Sequence, residues 1–284
     1  MRLFDTHCHF ETTDPAEISA ILGRAKAAGV ESLMAVGGSL ALNASAVAAA
    51  ALSEGRRKKE EVRSKEGDAF PKVLCAVGLD RDQANSNSPT HPLLHSSTPP
   101  LPHSPTFELS NSQTLELPLS AWGEIGLDYH YSPETRDAQL KLFAEQLEEA
   151  KRRDLPVVIY TREADEDTIA VLREIPSRGI IHCFTGTPGA ARRFLDLGFY
   201  ISISGIVTFR AADNVRESAL VVPDDRILIE TDSPFLAPVP LRGKPNEPAF
   251  VRYVCEFLAK LRGMAADDFA ELTFANAMSV LGNG

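Results

Sequence analysis

The residues Asp5-Thr6-His7-Cys8-His9 close the first apolar run of the chain. In an extended strand, alternate residues face the same way. That parity puts Leu3, Asp5, His7 and His9 on one side, and Phe4, Thr6 and Cys8 on the other. Two imidazoles side by side at a strand end suit a divalent cation better than a dry core. By the same parity Cys8 turns away and is not counted as a ligand. An HxH pair is also compatible with two satisfied polar residues. The decision therefore lies with what the other strands carry at their ends.

Seven further runs rich in Val, Ile and Leu follow, at Glu31–Val36, Lys72–Val77, Ser120–Glu124, Pro156–Tyr160, Arg178–His182, Gly198–Ser202 and Arg226–Glu230. With Arg2–Asp5 they make eight strands alternating with helical patterns. This predicts an α/β fold of the (β/α)8 TIM-barrel type. Asp14-Pro15-Ala16-Glu17 reads as an N-cap, a proline at N1 and an acidic first turn, with Gly29 as the stop. Ser132-Pro133 and Thr187-Pro188 open two more helices. Pro248–Leu261 and Ala266–Leu281 are the last two helical patterns. A single domain over residues 1–284 is expected, with flexible insertions at about 55–68, of mixed charge, and 82–119, rich in Ser, Pro, Asn and Thr. His91, His95 and His103, in the second insertion, are given no role.

The chain has 284 residues, 44% of them hydrophobic, and a formal net charge of −10. That length and composition suffice for a large buried core. No apolar run is long enough for a transmembrane helix, and the N-terminus does not read as a signal peptide. Cys8, Cys75, Cys183 and Cys255 show no CxxC pairing, which leads us to expect reduced thiols and a cytoplasmic setting. The acidic balance argues against a nonspecific grip on long duplex nucleic acid. A phosphate substrate would need help from bound metal or from a few cations at the site.

In a β/α barrel the active site lies at the C-terminal ends of the strands. Standing there are His7 and His9, Glu124 in Trp122-Gly123-Glu124-Ile125-Gly126, His182 in Ile180-Ile181-His182-Cys183-Phe184, and Asp232 in Ile229-Glu230-Thr231-Asp232-Ser233-Pro234. Singly, Glu124 suits an ion pair, His182 a bond to a carbonyl, and Asp232 a turn cap. Together they are three imidazoles and two carboxylates. Buried charge is costly unless paired or bound to metal, so the set predicts a metal site.

These stretches, with Thr161-Arg162, His182-Cys183-Phe184-Thr185-Gly186 and Asn246-Glu247-Pro248, resemble those of the TatD family of metal-dependent deoxyribonucleases, within the amidohydrolase-like barrels. The resemblance implies a two-metal centre and hydrolysis of DNA or another phosphodiester, with Mg2+, Mn2+ or Zn2+ as the cofactor. By the same resemblance, His7, His9 and Asp232 would hold one ion. Glu124 would bridge to a second, which His182 would help hold. Asp232 would also be catalytic, taking a proton from the attacking water, and Arg162 would bind substrate.

The chain departs from the family pattern in two places. Tyr160 stands where the family has a histidine ligand. With a pKa of about 10, tyrosine is a poor ligand at neutral pH, and Tyr160 reads as a packed aromatic. The second ion position would then be weak, so one or two ions per chain are expected. His130 is an alternative filler for that position. The turn Gly78-Leu79-Asp80-Arg81 replaces the family's Gly-x-His-Pro. Asp80 would repel phosphate and Arg81 would attract it, and both readings stay open. Arg242 and Lys244 read as a solvated loop or as phosphate contacts. Two alternatives to a nuclease remain: an amidohydrolase or deacylase acting on another ester or amide, and a degenerate member that binds metal or ligand without turnover.

Overall fold

The structure, a computed structural model, describes residues 1–63, 70–80, 84, 106–109, 113–116 and 119–282. Its centre is an all-parallel sheet of eight strands: β1 (Leu3–Cys8), β2 (Val30–Gly38), β3 (Lys72–Leu79), β6 (Ala121–Asp128), β7 (Val157–Arg162), β8 (Gly179–Ile181), β9 (Tyr200–Ile203) and β10 (Ile227–Ile229), hydrogen-bonded in that order. Thr106–Leu109 (β4) and Gln113–Glu116 (β5) form a separate antiparallel pair. All eight strands read from the sequence are present. The helices are α1 (Pro15–Ala27), α2 (Leu40–Arg63), α3 (Arg136–Arg152), α4 (Asp165–Glu174), α5 (Pro188–Asp196), α6 (Asp213–Val221), α7 (Val251–Arg262) and α8 (Ala266–Leu281). Two of the helix openings named in the sequence are capped as expected, whereas Ser132-Pro133 opens a 3-10 turn before α3 with no side-chain cap. Asp14 accepts from the Ala16 amide at the start of α1, and Thr187 accepts from Ala190 at the start of α5.

Two apolar layers follow from strand alternation. Leu33, Ala35, Val157, Ile159 and Ile181 face the helices, in one continuous cluster with Phe143, Phe194 and Leu258. Met34, Val36, Leu74, Ala76, Ala121, Val158, Ile180 and Leu228 fill the barrel interior. Phe274, Ala277 and Leu281 of α8 pack against that inner set and close its lower end. The Phe4 and Phe274 rings lie 5.7 Å apart.

The sheet curls into a nearly closed barrel. Its seam, between β10 and β1, is a single parallel bridge at Cys8 and Ser233, reinforced by the side chains of Thr6, whose hydroxyl donates to the Ile229 carbonyl at 3.0 Å, and Asp5. Asp5, fully buried, accepts from the backbone N–H and the hydroxyl of Thr231 at 2.8 and 2.6 Å. Burial pushes the Asp5 carboxyl up to about 8, although its hydrogen bonds to Thr231 oppose the shift.

Three sequence expectations are corrected. Leu3 and Cys8 share the outer layer whereas Phe4 lies inside, because the β1–β2 register shifts between Asp5 and Cys8. Strict parity therefore fails in this strand, although Cys8 still faces away from the site, its Sγ 3.3 Å from the Met34 carbonyl. The charged run from Gly55 is not a loop as far as Arg63. It continues α2, since a run with no apolar face can still be helical on the solvent side. The 82–119 segment contains the β4–β5 pair rather than being wholly irregular. Arg81, His91, His95, His103 and residues 64–69 lie outside the described residues.

Candidate metal centre

Each site side chain is carried to the upper mouth of the barrel by local backbone chemistry. His7 is the penultimate residue of β1, and His9 follows the strand directly. Glu124 sits within β6, which runs four residues past it rather than ending there. The β6–β7 register shifts between Gly123 and Ile125, which turns Glu124 inward. The flanking glycines allow this. A Cβ on Gly123 would stand 2.7 Å from Val158, and one on Gly126, whose φ is +146°, would collide with the Tyr160 carbonyl. His182 follows β8 directly. Asp232, at φ +56°, follows β10, and its amide donates to the His7 carbonyl.

The five residues converge. His7 Nε2 and His9 Nε2 are 3.1 Å apart. Glu124 Oε2 is 3.7 Å from both, and Asp232 Oδ1 is 3.8 Å from the first and 3.5 Å from the second. Glu124 Oε1 lies 3.4 Å from His182 Nε2. The His7 and His182 rings stack, with centroids 3.8 Å apart and planes 6° from parallel. All five are buried or nearly so.

The donor set fits a cation. His9 Nδ1 is 3.0 Å from the Val36 carbonyl, which can only accept. Its proton therefore sits on Nδ1, and its Nε2 lone pair faces the cluster. The carboxylate contacts are longer than good hydrogen bonds. His7 Nδ1, both ring nitrogens of His182 and Glu230 Oε2 are buried without a hydrogen-bond partner among the described residues. Electron-rich atoms crowded in this way require positive charge among them. The titration shifts agree. Burial drives His182 down, but Glu124 and Glu230 outweigh it and hold it up at about 10. His9 is likewise raised, its burial overcome by Asp232 and Glu124. His7, desolvated beside His182 and His9, is pushed well down. Two overlapping groups could hold an ion, one of His7, His9 and Glu124 and the other of His7, His182 and Glu230.

Glu230 was not among the sequence candidates, although its strand parity placed it beside Asp232. It is fully buried, accepts from the Cys183 amide at 2.7 Å, and lies 3.6 Å from His182 Nδ1. It stands behind His182, as carboxylates stand behind metal-bound histidines. Asn43 was also missed. Its Oδ1 accepts from the Gly38 and Gly78 amides and its Nδ2 donates to the Gly78 carbonyl, tying β2 to β3 below the mouth.

Tyr160 lines the site, its ring centroid 5.7 Å from that of His182. Arg162, two residues on along β7, places its guanidinium 4.7 Å over the Tyr131 ring. His130 is held at the exposed rim by Glu163, 2.7 Å away, and does not fill a ligand position. Arg242 stacks 3.8 Å over Phe209.

A parallel β/α barrel whose strand ends bring histidines and carboxylates to one point has the architecture of a metal-site barrel. The chain belongs to the TatD family, and TatD related DNase is the description that matches it over residues 4–282. Among curated relatives it is 50% identical over 159 residues to the uncharacterized metal-dependent hydrolase YcfH of Escherichia coli K12, covering 55% of this chain and 60% of that one. It is 44% identical over 160 residues to YabD of Bacillus subtilis 168, with 55% and 63% covered. The matches thus span about three fifths of those relatives' length. The crystal structure of YjjV, a TatD homologue from Escherichia coli K12, superposes with a TM-score of 0.73 at 25% identity, over 100% of this chain and 99% of that one. No helix among the described residues is long and apolar enough to cross a membrane.

Proposed function

We propose that the protein is a deoxyribonuclease that hydrolyses phosphodiester bonds. One observation carries the reading: donor atoms of His7, His9, Glu124, His182 and Asp232, brought from four strands, lie 3.1–3.8 Å from their neighbours. In this reading His7, His9 and Asp232 hold one divalent cation, and Glu124 leans between it and a second position beside His182. The mixed nitrogen and oxygen set suits Mn2+, Zn2+ or Mg2+. A divalent cation bound there supplies Lewis acidity, lowering the pKa of a water towards about 7 and offsetting phosphate charge.

The chain's own residues do the rest. The Val36 carbonyl fixes the His9 ring, and Glu230 fixes His182. Asp232 accepts the proton of the attacking water as a general base. Arg162 offers a planar fork to a phosphate oxygen. Tyr160, in place of a nitrogen ligand, leaves the second position poorer in donors, so one ion per chain does most of the work. The four cysteines, buried and unpaired, support a reducing, cytoplasmic setting.

The test is hydrolysis of single-stranded DNA by purified protein with Mn2+ or Mg2+. Asp232→Asn is expected to lower the rate by about 10²–10⁴-fold, the usual share of a general base. A wild-type protein inert on DNA with each ion, or a variant as fast as wild type, would overturn the assignment.

A further inference from the structure

The strand β7 reads Val157-Val158-Ile159-Tyr160-Thr161-Arg162. Its alternation decides which side chains reach the mouth. Val157 and Ile159 belong to the outer apolar layer, whereas Val158 lies in the barrel interior. Thr161 also points outward, its hydroxyl donating to Asp165 at 3.1 Å and lying 3.2 Å from Thr168 Oγ1 on α4. Tyr160 and Arg162 therefore follow Val158 on the inner side, above the apolar plug. The Tyr160 ring is half-buried and stands 5.7 Å from that of His182, tilted at 42°.

The Arg162 guanidinium hydrogen-bonds the Tyr160 hydroxyl from the same face of the strand. A guanidinium carries donors only. The phenol oxygen therefore accepts, and its own proton points elsewhere. The permanent charge on Arg162 opposes a second cation at that oxygen. The same charge polarises the O–H and makes it a better donor. Where a histidine would offer a lone pair to an ion, this chain offers a hydrogen-bond donor.

Hydrolysis of a phosphodiester places negative charge on the departing oxygen, and a fixed donor aimed at that charge speeds the step. We infer that Tyr160 is this donor: its hydroxyl, oriented by Arg162, hydrogen-bonds the departing oxygen. The water oxygen forms its bond to phosphorus and gives its proton to Asp232. The bond to the departing oxygen breaks with its electron pair, and that oxygen takes a proton from solvent. Tyr160 keeps its own proton throughout. The inference rests on the phosphodiester chemistry proposed above, but not on DNA as the substrate.

Tyr160→Phe keeps the ring and removes the hydroxyl. The Mn2+-loaded protein is assayed on two diesters whose departing oxygens carry charge unequally well. Diphenyl phosphate releases phenolate, which needs help. Bis(4-nitrophenyl) phosphate releases 4-nitrophenolate, which spreads the charge into its nitro group. On the first, kcat is expected to fall about 10²–10³-fold, as for one lost oxyanion donor. On the second it is expected to fall far less. Mn2+ stoichiometry and Kd by calorimetry are expected to match wild type. Orthovanadate, which mimics five-coordinate phosphorus, is expected to bind the variant about tenfold more weakly, the scale of one hydrogen bond to a charged group.

An equal or reversed fall on the two esters marks a structural role and overturns the inference, as does unchanged turnover of both. Weaker Mn2+ binding by the variant makes Tyr160 a metal ligand and overturns it equally. If wild type turns over neither ester, vanadate decides. A tenfold loss of its affinity upholds the inference, whereas equal affinity, or no binding by wild type, ends it. A wild type that shows the expected ester pattern but leaves single-stranded DNA intact sinks the nuclease reading and spares this one.

Discussion

At the lower end of the barrel, Phe4, Met34, Leu74 and Ile180 meet Phe274 and Leu281 in a close-packed apolar plug. At the upper end of the same strands, His7, His182 and Glu230 are equally buried but face one another with polar atoms lacking hydrogen-bond partners among the described residues. Along β8 the change takes two residues, from Ile180 to His182. Along β10 it takes two, from Leu228 to Glu230. The plug follows the rule for stability, in which each buried atom finds contact. The mouth breaks that rule in a way that only added positive charge repairs. Stability and chemistry therefore occupy opposite ends of one sheet, and each can be perturbed with limited effect on the other.

That separation makes predictions. Phe274→Ala removes a ring packed on Phe4 and beneath the Arg2 guanidinium, 4.0 Å away. It is expected to cost about 3–5 kcal/mol of stability in urea melts, while leaving the metal stoichiometry of the folded protein unchanged. A change in stoichiometry would show that the two ends are coupled. In the other direction, Mn2+ at about a hundredfold excess over its Kd should stabilise wild type by about 2.7 kcal/mol and stabilise a His7→Ala, His9→Ala double variant far less. The gain should shrink as pH falls from 8 to 5.5. His9 and His182 are held above their ordinary range by Asp232, Glu124 and Glu230, so protons compete more strongly with the ion at lower pH. A gain that grows on acidification would contradict this donor set.

Glu230→Gln removes the charge behind His182 while keeping an amide oxygen for the Cys183 N–H. Metal affinity by calorimetry should fall about 10–100-fold, with Tm of the metal-free protein unchanged or raised. Smallest is Arg2→Ala at the plug, where an exposed ion pair with Glu271 and a cation–π contact with Phe274 are lost. About 1 kcal/mol is expected, with no effect on metal binding or cleavage.

Much of the lower end and part of the upper was legible in the sequence. Eight apolar runs located eight strands because strand burial is written locally, in alternation and β-branched content. His7, His9, Glu124, His182 and Asp232 could be gathered because a barrel sends every strand end to one face. What escaped reading depends on partners distant in the chain. Glu230 looks like an ordinary strand residue until β8 brings His182 against it. Asn43 reads as a helix polar residue until Gly38 and Gly78 close on it. Phe4 and Cys8 were given one face because a register shift leaves no mark in composition. The charged stretch after Gly55 resembles a loop because its helical character comes from continuity with α2 rather than from an apolar stripe. Tyr160 reads in the sequence as a packed aromatic, and only the structure shows its ring 5.7 Å from that of His182.

The seam at Asp5 also has a consequence for how the protein is made. His7 and His9 are translated well before the strand that brings Asp232 to them, and Thr231 to Asp5, which follows 226 residues after Asp5. At about 5–20 residues per second, that interval is on the order of ten to forty-five seconds. A nascent chain halted before β10 carries two histidines with no opposing carboxylate from that strand and an unpaired β1 edge. The full donor set is thus withheld until β10 has been translated, and a chain halted earlier lacks it.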